Sequence, residues 1–103
     1  MYTFKVWAPR GHTVAVLIAG VAHTMQPSGS GWWTVEVEAA GPGTDYFFVV
    51  NGREPVPDPR SSHQPAGVHG PSRIVDHSAF SWSDRNWQPR PLSTAIVYEL
   101  HVG

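Results

Sequence analysis

The sequence contains no cysteine and comparatively few charged side chains. Without cysteine the chain can form neither a disulfide framework nor a thiolate metal site, which fits a reducing cytoplasm. Charged residues make up 15% of the chain, and its 7 basic and 8 acidic side chains leave a net charge of -1. Nucleic acids and anionic membranes attract chains that carry basic patches. We therefore expect a neutral ligand or a protein partner, and no nucleic acid or membrane.

Long hydrophobic runs and helical periodicity are also missing. The longest apolar stretch, residues 14–22, is half as long as the roughly 20 residues that a transmembrane helix needs. The first residues lack the charged and then apolar layout of a signal peptide. No long stretch places its apolar residues at the spacing of a helix. These absences predict an all-β, cytoplasmic protein.

The first half of the chain alternates apolar and polar residues between turn signals, a pattern typical of short antiparallel strands. Asn51 and Gly52 form a hairpin dipeptide that prefers positive φ at both positions, with residues 54–56 as a short return strand. Residues 27–31 read as a flexible turn. The predicted strands cover residues 4–7, 13–18, 22–25, 33–37 and 45–50. An immunoglobulin-like β-sandwich of the E-set type is the first choice of fold, and a small open barrel is the second.

The second half is rich in proline, with 7 of the 10 prolines between Pro55 and Pro91. Proline removes backbone donors and breaks both helices and central strands, so an irregular segment is expected. Phe80, Trp82 and Trp87 argue against disorder because they carry large apolar surfaces. We interpret residues 57–91 as a strap packed on a neighbouring surface, with these aromatic residues as its anchors.

The last residues, 96–103, read as a buried strand with nothing after it to cover it. The chain is therefore expected to be incomplete. In isolation, residues from Leu92 onward should be mobile or paired with another copy, because an uncovered apolar strand tends to find a pairing partner.

No catalytic or metal-binding constellation can be assembled from the sequence. Glycoside hydrolysis needs two carboxylates held across a bond, and none of the 8 acidic residues pairs convincingly. Asp58 lies between prolines, where an aspartate most often caps a turn. His63, His69 and His77 match no metal-ligand spacing. We expect no catalytic residue, no metal and no cofactor in this chain.

Trp32 and Trp33 are adjacent on a predicted strand and must therefore face opposite sides of it. If Trp33 points inward with Val35 and Val37, then Trp32 points outward. An outward indole can stack on the flat apolar face of a sugar, which makes Trp32 the candidate carbohydrate-binding residue. The favoured alternative is that the strap covers Trp32.

Several motifs resemble the amino-terminal sandwich of α-amylase superfamily enzymes that act on branched or modified α-glucans. They are Phe-Lys-Val-Trp-Ala-Pro at residues 4–9, Asp-Tyr-Phe-Phe at 45–48 and Pro-Asp-Pro at 57–59. The motifs of the strap point to one family more specifically. Residues 64–72, the aromatic pattern at 80–87 and Val-Tyr-Glu-Leu-His-Val-Gly at 97–103 resemble the malto-oligosyltrehalose trehalohydrolases. The likeness covers essentially the whole chain.

The resemblance implies a domain order and a set of partners. Residues 1–56 would be the sandwich core, 57–91 the strap at the interdomain junction, and 92–103 the start of a (β/α)₈ barrel, with its first strand. The parent enzyme would release trehalose from maltooligosyl-trehalose through carboxylates on later barrel strands. Interdomain contacts would come from Arg60, His63, Gln64 and His69. The expected partners are the barrel of the same polypeptide and, second, an α-glucan. The alternative is a glucan-binding module of a branching or debranching enzyme.

Overall fold

Seven short strands form two antiparallel sheets in the computed structural model, which describes residues 1–103. The strands are β1 (Tyr2–Trp7), β2 (Val14–Ile18), β3 (Val21–Thr24), β4 (Gln26–Gly29), β5 (Trp32–Val37), β6 (Asp45–Val50) and β7 (Ser72–Arg73). One sheet has the order β1-β5-β4 and the other the order β3-β2-β6-β7. Two single 3₁₀ turns, His77–Ala79 and Leu92–Thr94, are the remaining elements. The predicted β-sandwich is confirmed.

The hydrophobic core lies between the two sheets. Successive side chains of a strand point to opposite faces of its sheet, and the apolar ones point to the face that meets the other sheet. The rings of Phe4 on β1 and Tyr46 on β6 meet edge to face with 4.9 Å between their centroids, and this contact links the sheets. Phe48 continues the aromatic chain at 5.6 Å from Tyr46. The buried apolar residues are Phe4, Val6, Val14, Val16, Met25, Val37, Ala40, Tyr46, Phe48 and Ile74.

The Asn51-Gly52 turn forms as predicted, with φ values of 54° and 65°. The Asn51 side-chain oxygen also accepts hydrogen bonds from the backbone N–H groups of His12 (2.7 Å) and Thr13 (3.2 Å), which ties the turn to the start of β2. The expected return strand is reduced to one bridge between Phe48 and Val56. Asn51 is therefore a structural residue that joins two loops.

Two strands were not predicted. Most of the expected turn at residues 27–31 belongs to β4, and the chain reverses only at Ser30 and Gly31. Pro27 is tolerated because β4 is an edge strand and the missing N–H is not needed there. β7 arises inside the predicted strap, and Ile74 behind it is only 5% exposed. The sandwich therefore continues beyond residue 56.

Residues 76–103 lead away from the sandwich. Phe80, Trp82 and Trp87 are 65%, 72% and 70% exposed, so they do not pack on the sandwich, and their role as anchors on a neighbouring surface stays a prediction. Phe80 and Trp82 contact each other edge to face at 4.9 Å. The expected strand at residues 96–103 does not form, because a strand needs a neighbouring backbone to satisfy its donors and acceptors. Its apolar side chains are exposed, Ile96 by 98%.

Candidate functional site

An open groove runs between the free edge of β1 and the first part of the strap. β1 pairs only with β5 and ends its sheet, so one of its backbone edges has no strand beside it. The groove has a volume of about 920 Å³. Tyr2 and Lys5 line it from the strand, Arg60 and Ser62 from the strap, and His77 from the start of the departing chain. The chain thus leaves the sandwich beside this groove, with His77 as the last residue that lines it.

Asp58 fastens the strap to the sandwich. Its Oδ2 accepts a 2.6 Å hydrogen bond from the hydroxyl of Tyr46, and its Oδ1 accepts a 2.8 Å bond from the backbone N–H of Arg60. The backbone N–H of Asp58 donates to the Oγ of the fully buried Ser72 at 2.9 Å. The turn-capping role predicted for Asp58 is confirmed, and the bond to Tyr46 adds a connection to the core.

The Tyr46 hydroxyl remains protonated throughout the physiological range. Burial raises its pKa, and the hydrogen bond to the Asp58 carboxylate raises the pKa further. Burial disfavours the charged phenolate. The negative charge of the Asp58 carboxylate favours the protonated hydroxyl, which can donate a hydrogen bond to it. Tyr46 therefore acts as a hydrogen-bond donor to the strap.

Arg73 and Asp45 form a bidentate ion pair between β7 and β6. Arg73 Nε lies 2.6 Å from Asp45 Oδ1, and its Nη2 lies 2.9 Å from Oδ2. Their Cα positions are register partners, so the pair joins directly opposed residues. The hydrogen bonds from Arg73 lower the pKa of Asp45. This pair holds the middle of the strap on the sandwich.

Trp32 lies on the outer face of the first sheet, as the alternation predicted, while Trp33 packs against the core. The guanidinium carbon of Arg60 lies 5.8 Å from the centroid of the Trp32 ring, a distance at which cation–π attraction operates. The strap thus covers Trp32 only in part, and the residue is half-buried. Of the proposed site residues, the structure brings Trp32 and Arg60 together.

His63, Gln64 and His69 do not line the groove. The carbonyl of His63 accepts from the backbone N–H of Arg73 at 2.8 Å, and the side-chain amide of Gln64 donates to the carbonyl of Val68 at 3.1 Å. Both contacts organise the strap itself, and His69 is exposed beside them. No three His, Asp or Glu side chains converge as a metal site requires.

Trp7 is a candidate that the sequence reasoning missed. It is 58% exposed, is the register partner of Trp32, and lines a second hollow of about 380 Å³ with it. The signal was present, because Phe4 and Val6 point inward and alternation must then turn Trp7 outward. What the sequence could not show was the pairing of β1 with β5.

The comparisons with known proteins agree with this architecture. The malto-oligosyltrehalose trehalohydrolase of Rhizobium sp. (strain M-11) is 41% identical over 97% of this chain. The enzymes of the same name from Deinococcus radiodurans and Saccharolobus solfataricus are 40% and 34% identical over 97% and 98% of it. The chain spans 18%, 16% and 18% of these relatives, respectively. No protein-family model matches the chain.

Solved structures show the same relationship. An alpha amylase from Salmonella typhimurium superposes with a TM-score of 0.85 and 38% identity, over 96% of this chain and 17% of that one. A pullulanase from Bacillus acidopullulyticus superposes with a TM-score of 0.59 and 27% identity, over 72% of this chain and 10% of that one. The fold is thus a β-sandwich that resembles a part of these alpha-amylase and pullulanase structures.

Over nearly its whole length, the chain is similar to the amino-terminal part of the malto-oligosyltrehalose trehalohydrolases. A separate structural observation is that no helix in the chain has the length and hydrophobicity to cross a membrane.

Proposed function

We propose that this chain is the non-catalytic amino-terminal domain of a cytoplasmic enzyme of trehalose biosynthesis. The parent enzyme hydrolyses the α-1,4-glucosidic bond that releases trehalose from maltooligosyl-trehalose. One observation carries the proposal: relatives that bear the trehalohydrolase name are 34% to 41% identical over nearly the whole chain. In such an enzyme the sandwich supplies packing surface and helps to shape the entrance to the active site.

The carboxylates of the described structure support a non-catalytic role. A glycosidase holds two carboxyl groups about 5 to 10 Å apart with a sugar bond between them. Here Asp45 is bound by Arg73 and Asp58 by Tyr46, and Asp76 caps a 3₁₀ turn through Ser78. Each of these three has a structural partner and is not free to act as an acid or a nucleophile, and the other 5 of the 8 acidic residues are exposed.

The proposed division of the chain gives residues 1–56 as the core of the sandwich, 57–91 as the strap, whose β7 completes one sheet, and 92–103 as the start of the barrel. The exposed apolar residues downstream of the sandwich support this division, because large apolar side chains exposed to water mark a surface that a neighbouring domain covers. The barrel of the same polypeptide is the proposed neighbour. Arg60, His63, Gln64 and His69 are the proposed contacts of the strap with it.

The test is to identify the product made by the longer polypeptide that carries this domain. Purified enzyme is incubated separately with maltooligosyl-trehalose, with linear maltoheptaose and with pullulan. A trehalohydrolase releases trehalose from the first substrate. Formation of branched chains from maltoheptaose would identify a branching enzyme, and cleavage of the α-1,6 bonds of pullulan would identify a debranching enzyme. Either result, without trehalose, removes the proposal.

A second candidate function is an α-glucan-binding module of a branching or debranching enzyme. A 1,4-alpha-glucan branching enzyme of Trichodesmium erythraeum is 30% identical over 97% of this chain, and the half-buried Trp32 lies beside a groove. Retention of the chain on a maltooligosaccharide column, abolished by Trp32→Ala, would support this function. Absence of retention would remove it.

A further inference from the structure

The outer backbone edge of β1 carries donors and acceptors that no neighbouring strand engages. The backbone N–H of Ala8 donates to the carbonyl of Gly31 at 2.8 Å, and this bond fixes which residues of β1 are bonded to β5. Because bonded and non-bonded residues alternate along an antiparallel pair, the backbone groups of Thr3 and Lys5 point away from β5. No strand lies on that side of β1, and no turn or loop bond engages either residue. β1 therefore presents a free edge to the groove, which Thr3 and Lys5 both line.

The inner and outer sides of the groove differ in their chemistry. The inner side is lined by the apolar side chains of Phe4, Phe48 and Ile74, which belong to the core. The outer side carries Lys5 and Arg60, and neither of these cations belongs to the one salt bridge of the chain. A strand that fits beside β1 should therefore have one apolar face and an acidic side chain on the other face.

Residues 96–102, here called the tail, have this pattern. In an extended conformation, alternation places four apolar side chains on one face of the tail: Ile96, Tyr98, Leu100 and Val102. Glu99 lies on the opposite face and is the only acidic residue of the tail. The tail is exposed along its whole length, forms no strand, and leaves Glu99 without an ion-pair partner. Its apolar face and its charge both match the groove.

We propose that the free edge of β1 binds the tail of a second copy of this chain as an added antiparallel strand. Glu99 lies opposite Lys5 and Leu100 lies beside Phe4, while the free backbone groups of Thr3 and Lys5 form hydrogen bonds with the added strand. Each copy gives one tail and receives one. The exchange closes a symmetric dimer in which neither copy keeps an uncovered tail or a free β1 edge.

A second copy is a better source of this strand than the same copy. His77 is the last residue that lines the groove, and all residues from 76 to 103 are exposed. The tail is thus directed away from its own sandwich and is accessible to a neighbour. A net charge of -1 causes little repulsion between two copies. A barrel in a longer polypeptide would cover the same segment, so the inference concerns the 103-residue chain and does not depend on the proposed function.

The experiment combines sedimentation velocity with amide hydrogen exchange of the purified chain over a range of concentrations. In the monomer, the amides of Phe4 and Val6 should be protected by β5, and those of Thr3 and Lys5 should exchange freely. As the dimer forms, the amides of Thr3, Lys5 and the tail should become protected together. Association through exposed apolar side chains alone would leave Thr3 and Lys5 unprotected, and this result would overturn the proposal.

Thr3→Pro tests the backbone edge directly. Proline removes the N–H that points away from β5, and edge strands tolerate proline where that N–H faces solvent. The variant should keep the β1–β5 pairing and lose the dimer. Thr3→Ala keeps the N–H and is the matched control, which should dimerise like the wild type.

A charge exchange tests the register and does not require Thr3→Pro to fold. Lys5→Glu and Glu99→Lys should each weaken dimerisation about tenfold, because the cross-strand pair occurs twice in the symmetric dimer. The double variant should recover most of that loss. Arg53→Glu and Glu54→Lys make the same charge changes at exposed positions outside the groove and should leave dimerisation unchanged.

The proposal is overturned if the chain stays monomeric at millimolar concentration, or if folded Thr3→Pro dimerises as strongly as Thr3→Ala. Protection of the tail in the monomer also overturns it, since each chain would then bind its own tail. The same holds if the double charge exchange dimerises no better than the two single variants. Trehalose release by the longer polypeptide is measured separately and does not depend on this result.

Discussion

The hydroxyl of Tyr46 donates a 2.6 Å hydrogen bond to Asp58 and thereby joins the core of the sandwich to the strap. Tyr46 is 6% exposed and its ring packs between those of Phe4 and Phe48. Asp58 in turn positions the backbone of Arg60. One contact between a core residue and a loop residue thus helps to set the place of Arg60 beside Trp32.

Tyr46→Phe should lower the free energy of unfolding by about 1–2 kcal/mol, because it removes a hydrogen bond to a carboxylate while leaving the ring in place. Denaturant unfolding measures the change. Tyr2→Phe is the control, since the Tyr2 hydroxyl has no hydrogen-bond partner within the protein and the residue is 37% exposed. Equal effects of the two substitutions would show that the bond to Asp58 contributes nothing.

Ser72→Ala should destabilise the chain by about 1–3 kcal/mol, the cost of leaving a partly buried donor without its acceptor. The donor is the backbone N–H of Asp58, and Ser72 itself is 0% exposed. Ser78→Ala, in an exposed turn, provides the comparison. Thermal unfolding should separate the two variants, and an unchanged midpoint for Ser72→Ala would contradict the role assigned to this side chain.

Asn51→Ala and Asn51→Gly separate backbone strain from side-chain bonding at the β6 turn. Both lose the acceptor for the N–H groups of His12 and Thr13. The alanine variant is in addition strained by the positive φ of 54°, a backbone conformation that glycine adopts freely. We expect the alanine variant to be the less stable of the two by about 1 kcal/mol. The prediction fails if glycine is the more damaging substitution.

The Arg73–Asp45 pair should make stability depend on pH in the acid range. Hydrogen bonds from Arg73 place the pKa of Asp45 in the folded chain below its ordinary value of 3.8. Its contribution is therefore fully present above pH 3.8 and is lost as the pH falls through the folded pKa. The difference in unfolding free energy between the wild type and Asp45→Asn should shrink steadily below that pH. A constant difference down to the lowest pH would contradict the assignment.

The pKa of Asp76 also lies below its ordinary value, because hydrogen bonds from the side chain and backbone of Ser78 lower it. It lies beyond the last buried residue of the chain, Ile74. Asp76→Asn therefore serves as the control for Asp45→Asn. We expect it to leave the unfolding midpoint near neutral pH unchanged.

Removal of residues 76–103 should leave the unfolding midpoint of the sandwich nearly unchanged, since none of these residues is buried. The same truncation should reduce self-association, because it removes exposed apolar side chains such as Ile96 and Leu100. Sedimentation velocity and thermal unfolding of the two chains measure both effects. A large loss of stability on truncation would mean that the tail packs on the sandwich.

Much of the sandwich could be predicted because its signals are local. Alternation identified β1, β2, β5 and β6, and Asn51-Gly52 marked a turn whose backbone the dipeptide itself dictates. β4 was missed because Pro27 and Gly29 look like turn residues, and only the position of the strand at a sheet edge makes them acceptable.

The site was harder to predict because its contacts join residues that are distant in sequence. β7 has two residues and exists through its pairing with β6. The bond between Tyr46 and Asp58 and the proximity of Trp32 to Arg60 depend on how the strap crosses the sheet edge. The neighbour of Phe80, Trp82 and Trp87 could not be predicted, because aromatic content shows that a segment has apolar surface to cover, but not which neighbour covers it.

The most direct test of the central claim is to assay the purified 103-residue chain and the longer polypeptide side by side for release of trehalose from maltooligosyl-trehalose. The longer polypeptide should release trehalose at a measurable rate. The chain alone should release none, because Asp45, Asp58 and Asp76 are held by structural partners and its other carboxylates are exposed. Trehalose production by the chain alone, or its absence with the longer polypeptide, would contradict this account.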